Sequence, residues 1–345
     1  MVKVEGLKEN PLKIMDAQEL LSRYAAGERD FSNINLMGAN LERAKLSGIN
    51  LAGAYLGAVN FKRAQLVGAN LTGAFLFRAN LSFAKVNAAR LRNADLTKAD
   101  LTGAYLVKSI LVGVKLSGAK LNDVNLRQAN LEGINLCGAN LERINFRNAN
   151  LRNANLSWTK LTEARLSGAS FKNAILNGTR LQAAYMNGVD LQGIDLEGID
   201  LSEAKLSGAN LSEVNLNTAN LSNTQLRTTF MARSHLHAAN LTAAVVTKAD
   251  LAEADLSKAD LSDVNLSKAD LTGANLNQAN LERAKLNHAC LRDAYLWGAH
   301  LENTDLAQAN LTGANLRGAR VVDTVWQNAV LAATVLPNGE VENNG

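Results

Sequence analysis

The sequence predicts an all-β fold: a solid β-helix made by stacking a five-residue unit, with a short helix covering its N-terminal end. Three observations carry this. Every fifth residue from Phe31 to Leu336 is large and apolar, 62 positions of which 52 are leucine. The residue two before each of these is small or β-branched and, between Ile34 and Thr334, never charged. The residue two after takes 20 of the chain's 25 glycines.

Neither simple template accounts for a period of five. A helix places apolar residues at i, i+3, i+4 and i+7, and a half-buried strand alternates them. A short extended piece followed by a corner fits. Residues two apart in extended chain face the same side, so Leu41 and Ala39 point inward together. The two residues after Leu make the corner. Glycine at the second suits a type II turn, whose third residue has positive φ. Corners with Lys, Arg, Asp or Glu there are expected to be type I-like. The residue before each Leu faces outward and is often Asn or Asp; from Asn125 to Asn155 it is Asn seven times running. Disordered chain lacks such regular apolar content.

A lone repeat cannot fold. Ordering five residues costs roughly 5–10 kcal/mol, and burying one Leu returns about 1.5–3 kcal/mol. Stacked neighbours must supply the rest through coil-to-coil hydrogen bonds and leucine packing.

Both ends of an open β-helix need covering. Asp16 to Ala26 reads as an amphipathic helix, with Asp16 and Glu19 as a capping-box-like start and Gly27 as its stop. Leu20, Leu21 and Tyr24 are expected to cover the first coil. At the other end Val325, Val330 and Val335 occupy outward slots, Trp326 replaces Leu, and Leu336-Pro337-Asn338-Gly339 closes the array. This end is a cap or a contact between two copies, giving a monomer or an end-to-end dimer. The domain organisation is a segment 1–30 with the capping helix, the repeat array 31–336 and a tail 337–345.

The pattern, as in Ala39-Asn40-Leu41-Glu42-Arg43 and Ala269-Asp270-Leu271-Thr272-Gly273, strongly resembles the pentapeptide-repeat family over residues 31–336. The resemblance implies a right-handed quadrilateral β-helix with four repeats per coil. The array then makes about 15 coils, and at ~4.8 Å per coil it is roughly 75 Å long. The run Leu20 to Phe31 is similar to the N-terminal cap of cyanobacterial members. That likeness implies a regulator of cell differentiation, such as heterocyst pattern. A gyrase-protecting branch of the family mimics DNA with a negative rod, which the net charge of +4 here does not match.

Little in the sequence points to catalysis. A filled tube offers flat walls, whereas enzyme sites are concave, and no HExxH, P-loop, GxSxG or GxGxxG occurs. Catalytic residues, cofactors and metals are expected to be none. His235 and His237 flank Leu236 with Asp255 one coil above, which is no closed ligand set. Cys137 and Cys290 are too far apart to pair. No apolar run approaches the 18 or so residues of a membrane span, and Met1 to Met15 has no apolar signal core. A cytoplasmic protein is expected, without membrane contact.

Register assigns charge to faces, because residues 20 apart stack at four repeats per coil. One face carries Lys45, Lys85, Lys108, Arg127, Arg147, Arg165, Lys205, Arg227, Lys248, Lys268 and Lys285, with Asp305 its single acid. That face sums to +10 in a chain of +4. It is either a solvated wall or a docking strip. The expected function is a non-enzymatic interaction or regulatory scaffold whose partner is a protein with an acidic surface; the alternative is a nucleic-acid-binding or gyrase-interacting rod. Aromatic residues Tyr55, Phe75, Phe77, Tyr295 and Trp297 are further contact points.

Overall fold

The computed structural model describes residues 14–342. The chain forms two compact units, Met1–Asn125 and Leu126–Gly345, and each is described by itself. Most of the signal-peptide reading, over Met1 to Lys13, lies outside the described residues, as do the last three of the tail.

In the first unit, helix α1 (Ala17–Ala25) is started by the Asp16 side chain, which accepts the Glu19 amide at 2.8 Å. It stops before Gly27, whose φ of 101° a side chain would oppose. Leu20 is fully buried. Tyr24 donates its hydroxyl to the Ser47 carbonyl at 2.7 Å and carries the Arg29 guanidinium 3.9 Å from its ring centre. Leu21 departs from expectation at 39% exposed, because residues adjacent on a helix face different ways; Met15, at 3%, lies buried instead.

Beyond α1 the chain pairs in parallel with itself at a register of 20 residues, as in Asn35 with Tyr55, Tyr55 with Phe75 and Phe75 with Asp95. Four pentapeptides therefore complete one turn. Along the regular coils the Leu N–H donates to the carbonyl 19 residues ahead, and the outward residue donates to the carbonyl 21 residues behind. Leu56 to Phe75 at 2.7 Å and Phe75 to Ala54 at 2.9 Å are examples. Each face thus offers only one paired residue, shorter than an ordinary strand. The second unit repeats this, with Leu256 donating to Asn275 at 2.7 Å. It ends in the two residue-long strands β1 (Thr334–Val335) and β2 (Val341–Glu342), paired antiparallel. There Val321, Trp326, Leu331 and Leu336 are only half-buried.

The leucines and the small residues between them form the core, nearly all of them under 2% exposed. Where the small position is hydroxylic, the hydroxyl finds a carbonyl: Ser109 donates to Val86 and Thr304 to Leu281, each at 2.7 Å. This satisfies a buried group that otherwise costs free energy.

The corners differ from expectation. From Asn33 to Ala333 all have positive φ at the second corner residue, 41 non-glycine residues as well as 20 glycines. Arg43 (60°), Lys98 (59°) and Glu203 (61°) turn as Gly38 does, and the small residue that follows closes the turn onto the preceding Leu carbonyl, as Ala44 does onto Leu41 at 3.1 Å. The type I-like corner does not occur, because each corner must stack on identical ones; the array overrides a local preference of roughly 1–2 kcal/mol.

The outward Asn and Asp residues explain their own abundance. Their Oδ1 accepts the amide two residues on, capping the corner, and the Asn amide reaches the residue one coil back. Asn220 accepts from the Ser222 N–H and donates to Asp200, both at 3.2 Å.

Candidate interaction faces

The register places residues 20 apart on the same wall within each unit. In the first unit Lys45, Gln65, Lys85, Tyr105 and Asn125 pair in succession, and Lys108 lies at a corner of the same wall. In the second, the ladder runs unbroken from Asn145 through Arg165, Tyr185, Lys205, Gln225, Val245, Asn265 and Lys285 to Asp305. Arg127, Arg147, Arg227, Lys248 and Lys268 flank it. All eleven cations are exposed. Away from this wall, Arg23, Arg43, Lys120, Arg233 and Arg283 form ion pairs. On the wall itself Lys205 lies 4.6 Å from the Tyr185 ring centre and Arg227 donates to Gln225 at 2.9 Å. A column of like charges at this spacing is a field source rather than a self-compensated surface.

Elsewhere charge is internally matched. Arg283 grips Asp263 with both ends of its fork, at 2.8 and 2.9 Å, and also pairs with Glu282. The hydrogen-bonded guanidinium holds Asp263 below the usual carboxylate range. The aromatic residues form a local group in the first unit: Tyr55 and Phe75 centroids are 6.3 Å apart, Phe75 and Phe77 stack at 6.0 Å, and Arg78 lies 5.2 Å from Phe77. In the second unit Tyr295 and Trp297 are half-exposed. The structure also exposes Trp158, 70% accessible, which the sequence reading did not single out; its ring lies across Gly178, where no Cβ fits.

No set of three or more His, Cys, Asp or Glu side chains able to hold a metal forms among the described residues. His237 instead bonds Ser257 through Nδ1 at 2.8 Å. Both cysteines are free. No described helix is long and apolar enough to cross a membrane.

The expectation of flat walls throughout needs correction. In the second unit two successive coils part on one side, leaving a slot of about 700 Å³ lined by residues 168–174 below and Gly188, Asp190 and Gln192 to Asp195 above. The inward residues there, Ala174 and Ile194, become half-buried. A signal for it exists in the sequence: Val189, Ile194 and Ile199 are the one run of three successive small positions filled by Val or Ile. Extra methylenes in a packed interior force neighbours apart.

The model of the family described as pentapeptide repeats matches residues 34–231 and 234–325. An uncharacterized protein of Synechocystis sp. is 55% identical over 40 residues, 12% of this chain and a quarter of that protein's length. Among solved structures, HetL of Nostoc sp. strain PCC 7120, a pentapeptide repeat protein involved in heterocyst differentiation regulation, is 27% identical across 95% of this chain and all of its own, with a TM-score of 0.19. The plasmid-mediated fluoroquinolone resistance protein QnrB1 is 18% identical, covering 69% of this chain and 93% of its own, with a TM-score of 0.23.

Proposed function

Because the chain belongs to the pentapeptide-repeat family, we propose that it is a non-enzymatic interaction scaffold that docks a protein with an acidic surface along the basic wall of the second unit. The observation that carries this is the column from Arg127 to Lys285, eight exposed cations at near-regular spacing on one wall. At ~4.8 Å per coil it extends about 38 Å, the scale of an ordinary protein–protein contact. Rim charges of this kind mainly raise association rate and fix orientation. The family fold, a right-handed quadrilateral β-helix, supplies the rigidity. We further infer about 15 coils in all, with α1 covering the first.

The test is capture of partners by the full chain and by a variant with Arg147, Arg165, Lys205 and Lys285 all changed to Glu. Loss of a salt-sensitive acidic partner supports the proposal, and unchanged capture defeats it. A row of cations also favours nucleic acid as a second reading. A mobility shift that weakens steeply with salt supports it, and no shift at low salt removes it. The finer assignment to cyanobacterial differentiation is supported by the Leu20–Phe31 run. A deletion strain with normal heterocyst spacing would exclude it. The half-buried Trp326 end supports end-to-end dimerisation, read by light scattering.

A further inference from the structure

The slot differs in kind from the rest of the wall, because what it exposes is backbone. Along an intact coil the Leu and corner N–H groups all donate to the coil ahead. Here, among the described residues, the pairing of Ile175 with Asp195 is lost: Asn173, Leu176 and Gly178 make no such bond and Asp195 does not donate back, while Ser170–Asp190 and Arg180–Asp200 on the adjoining faces still pair, more weakly than elsewhere. Bonding is regular again at Leu181, which reaches the Asp200 carbonyl at 2.9 Å. On the opposite side, Leu166 to Tyr185 at 2.8 Å and Met186 to Lys205 at 2.7 Å stay closed. The basic wall is therefore the hinge side, and the opening faces away from it.

Two further features single out the mouth. Five of its six corners, at 168, 178, 188, 193 and 198, are glycine, and beyond Gly188 and Gly193 there is open space where a Cβ would stand. Side chains therefore do not screen the upper lip at Gly188 and Gly193 from an approaching main chain, whereas Trp158 lies against Gly178 and Asn148 against Gly168 on the lower one. The charge is also lopsided. From Leu181 to Ala204 the chain carries Asp190, Asp195, Glu197, Asp200 and Glu203 with no Lys or Arg, while Lys172 is the single cation among the lining residues.

We propose that this slot is a second binding site, taking an extended peptide segment rich in lysine or arginine. Lips that carry donors and acceptors in alternation match any extended main chain, and strand addition gains affinity from such pairing. Side chains of the peptide alternate, so one row packs over Phe171 and Ile194 while the other meets Asp190 and Asp195 at the surface. The volume lies in the range of real ligand sites. This site is independent of the basic wall, whose partner would be acidic.

The experiment uses the full chain and the peptide Val-Lys-Val-Lys-Val, labelled with fluorescein. Amide exchange in the free protein should be at least tenfold faster at Asn173, Leu176 and Gly178 than at Leu166 and Leu181, and should slow when peptide is added. A peptide with alternate amides N-methylated should bind at least tenfold more weakly, as should Val-Glu-Val-Glu-Val. In the variant V189A/I194A/I199A the slot should close, binding should fall and those amides should become protected. Uniform protection in the free wild-type protein overturns the proposal, as does equal binding of the N-methylated or the acidic peptide. Both comparisons use wild-type protein, so they decide the matter even if the triple variant fails to fold.

Discussion

Replacing Leu276 by Ala tests the stacked core quantitatively. Leu276 is fully buried between Leu256 and Leu296, which are equally buried one coil below and above. The change removes three carbons, about 2.4 kcal/mol at ~0.8 kcal/mol per buried methylene. A cavity term follows, at ~24 cal/mol per Å³, for whatever volume the surroundings cannot refill. Here they refill little, because the coil spacing is fixed by the bonds Leu256 to Asn275 and Leu276 to Tyr295, both 2.7 Å. If roughly 60 Å³ persists, the cavity adds about 1.5 kcal/mol, for a total near 4 kcal/mol. Leu331, in the last coil, is half-buried and has no full coil above it, so Leu331→Ala should cost less than about half as much. Urea unfolding followed by circular dichroism measures both. Equal losses at the two positions, or a loss under ~1 kcal/mol at Leu276, would refute the account of an incompressible ladder.

Three other outcomes follow from the walls and corners. Thr228 is β-branched at φ 54° and exposed, so Thr228→Gly should stabilise by about 1 kcal/mol on relief of the left-handed strain, read as a raised urea midpoint. Asn220→Ala removes a corner cap and a rung to Asp200 and should destabilise by ~0.5–1.5 kcal/mol, whereas the same change at Asn177, with no side-chain bond among those described, should be nearly silent. Asp263 should titrate below 3.8 in the folded protein, so its pair with Arg283 favours folding above the ordinary carboxylate pKa and loses that effect as pH falls through the lower value; carbon-detected NMR should show the midpoint rise in Arg283→Gln.

The fold was legible because its signal is repetition. A period of five with two inward positions specifies which side chains fill the core, and Leu20, Asp16 and Gly27 mark the helix by ordinary capping chemistry. Corner geometry was not legible from Arg43 or Glu203 taken singly, since the left-handed conformation is imposed by stacking on neighbours rather than by the residue itself. Leu21 was misplaced for a related reason: apolar identity does not say which of two adjacent helical residues meets the first coil, and Met15 lies outside any periodic pattern. The basic wall could be assembled from sequence once residues 20 apart were stacked. The slot was not foreseen, although Val189, Ile194 and Ile199 were visible, because each alone is an acceptable inward residue and only three together overfill one level.

A tube filled by leucine has no interior to offer a ligand, so recognition must come from its walls or from faults in its stacking. The walls give charge in rows, which suits broad, salt-sensitive docking. A fault gives something a wall cannot, unpaired N–H and C=O groups beside apolar side chains. Repetition makes such a fault local: Leu166 and Leu181 are bonded normally to the coil ahead while Asn173, Leu176 and Gly178 between them are not. The stability lost there is confined to one level, because the remaining interactions are between nearest neighbours. An array of this kind therefore tolerates an opened level that a globular core would not, and substitutions at small inward positions alone are enough to place it.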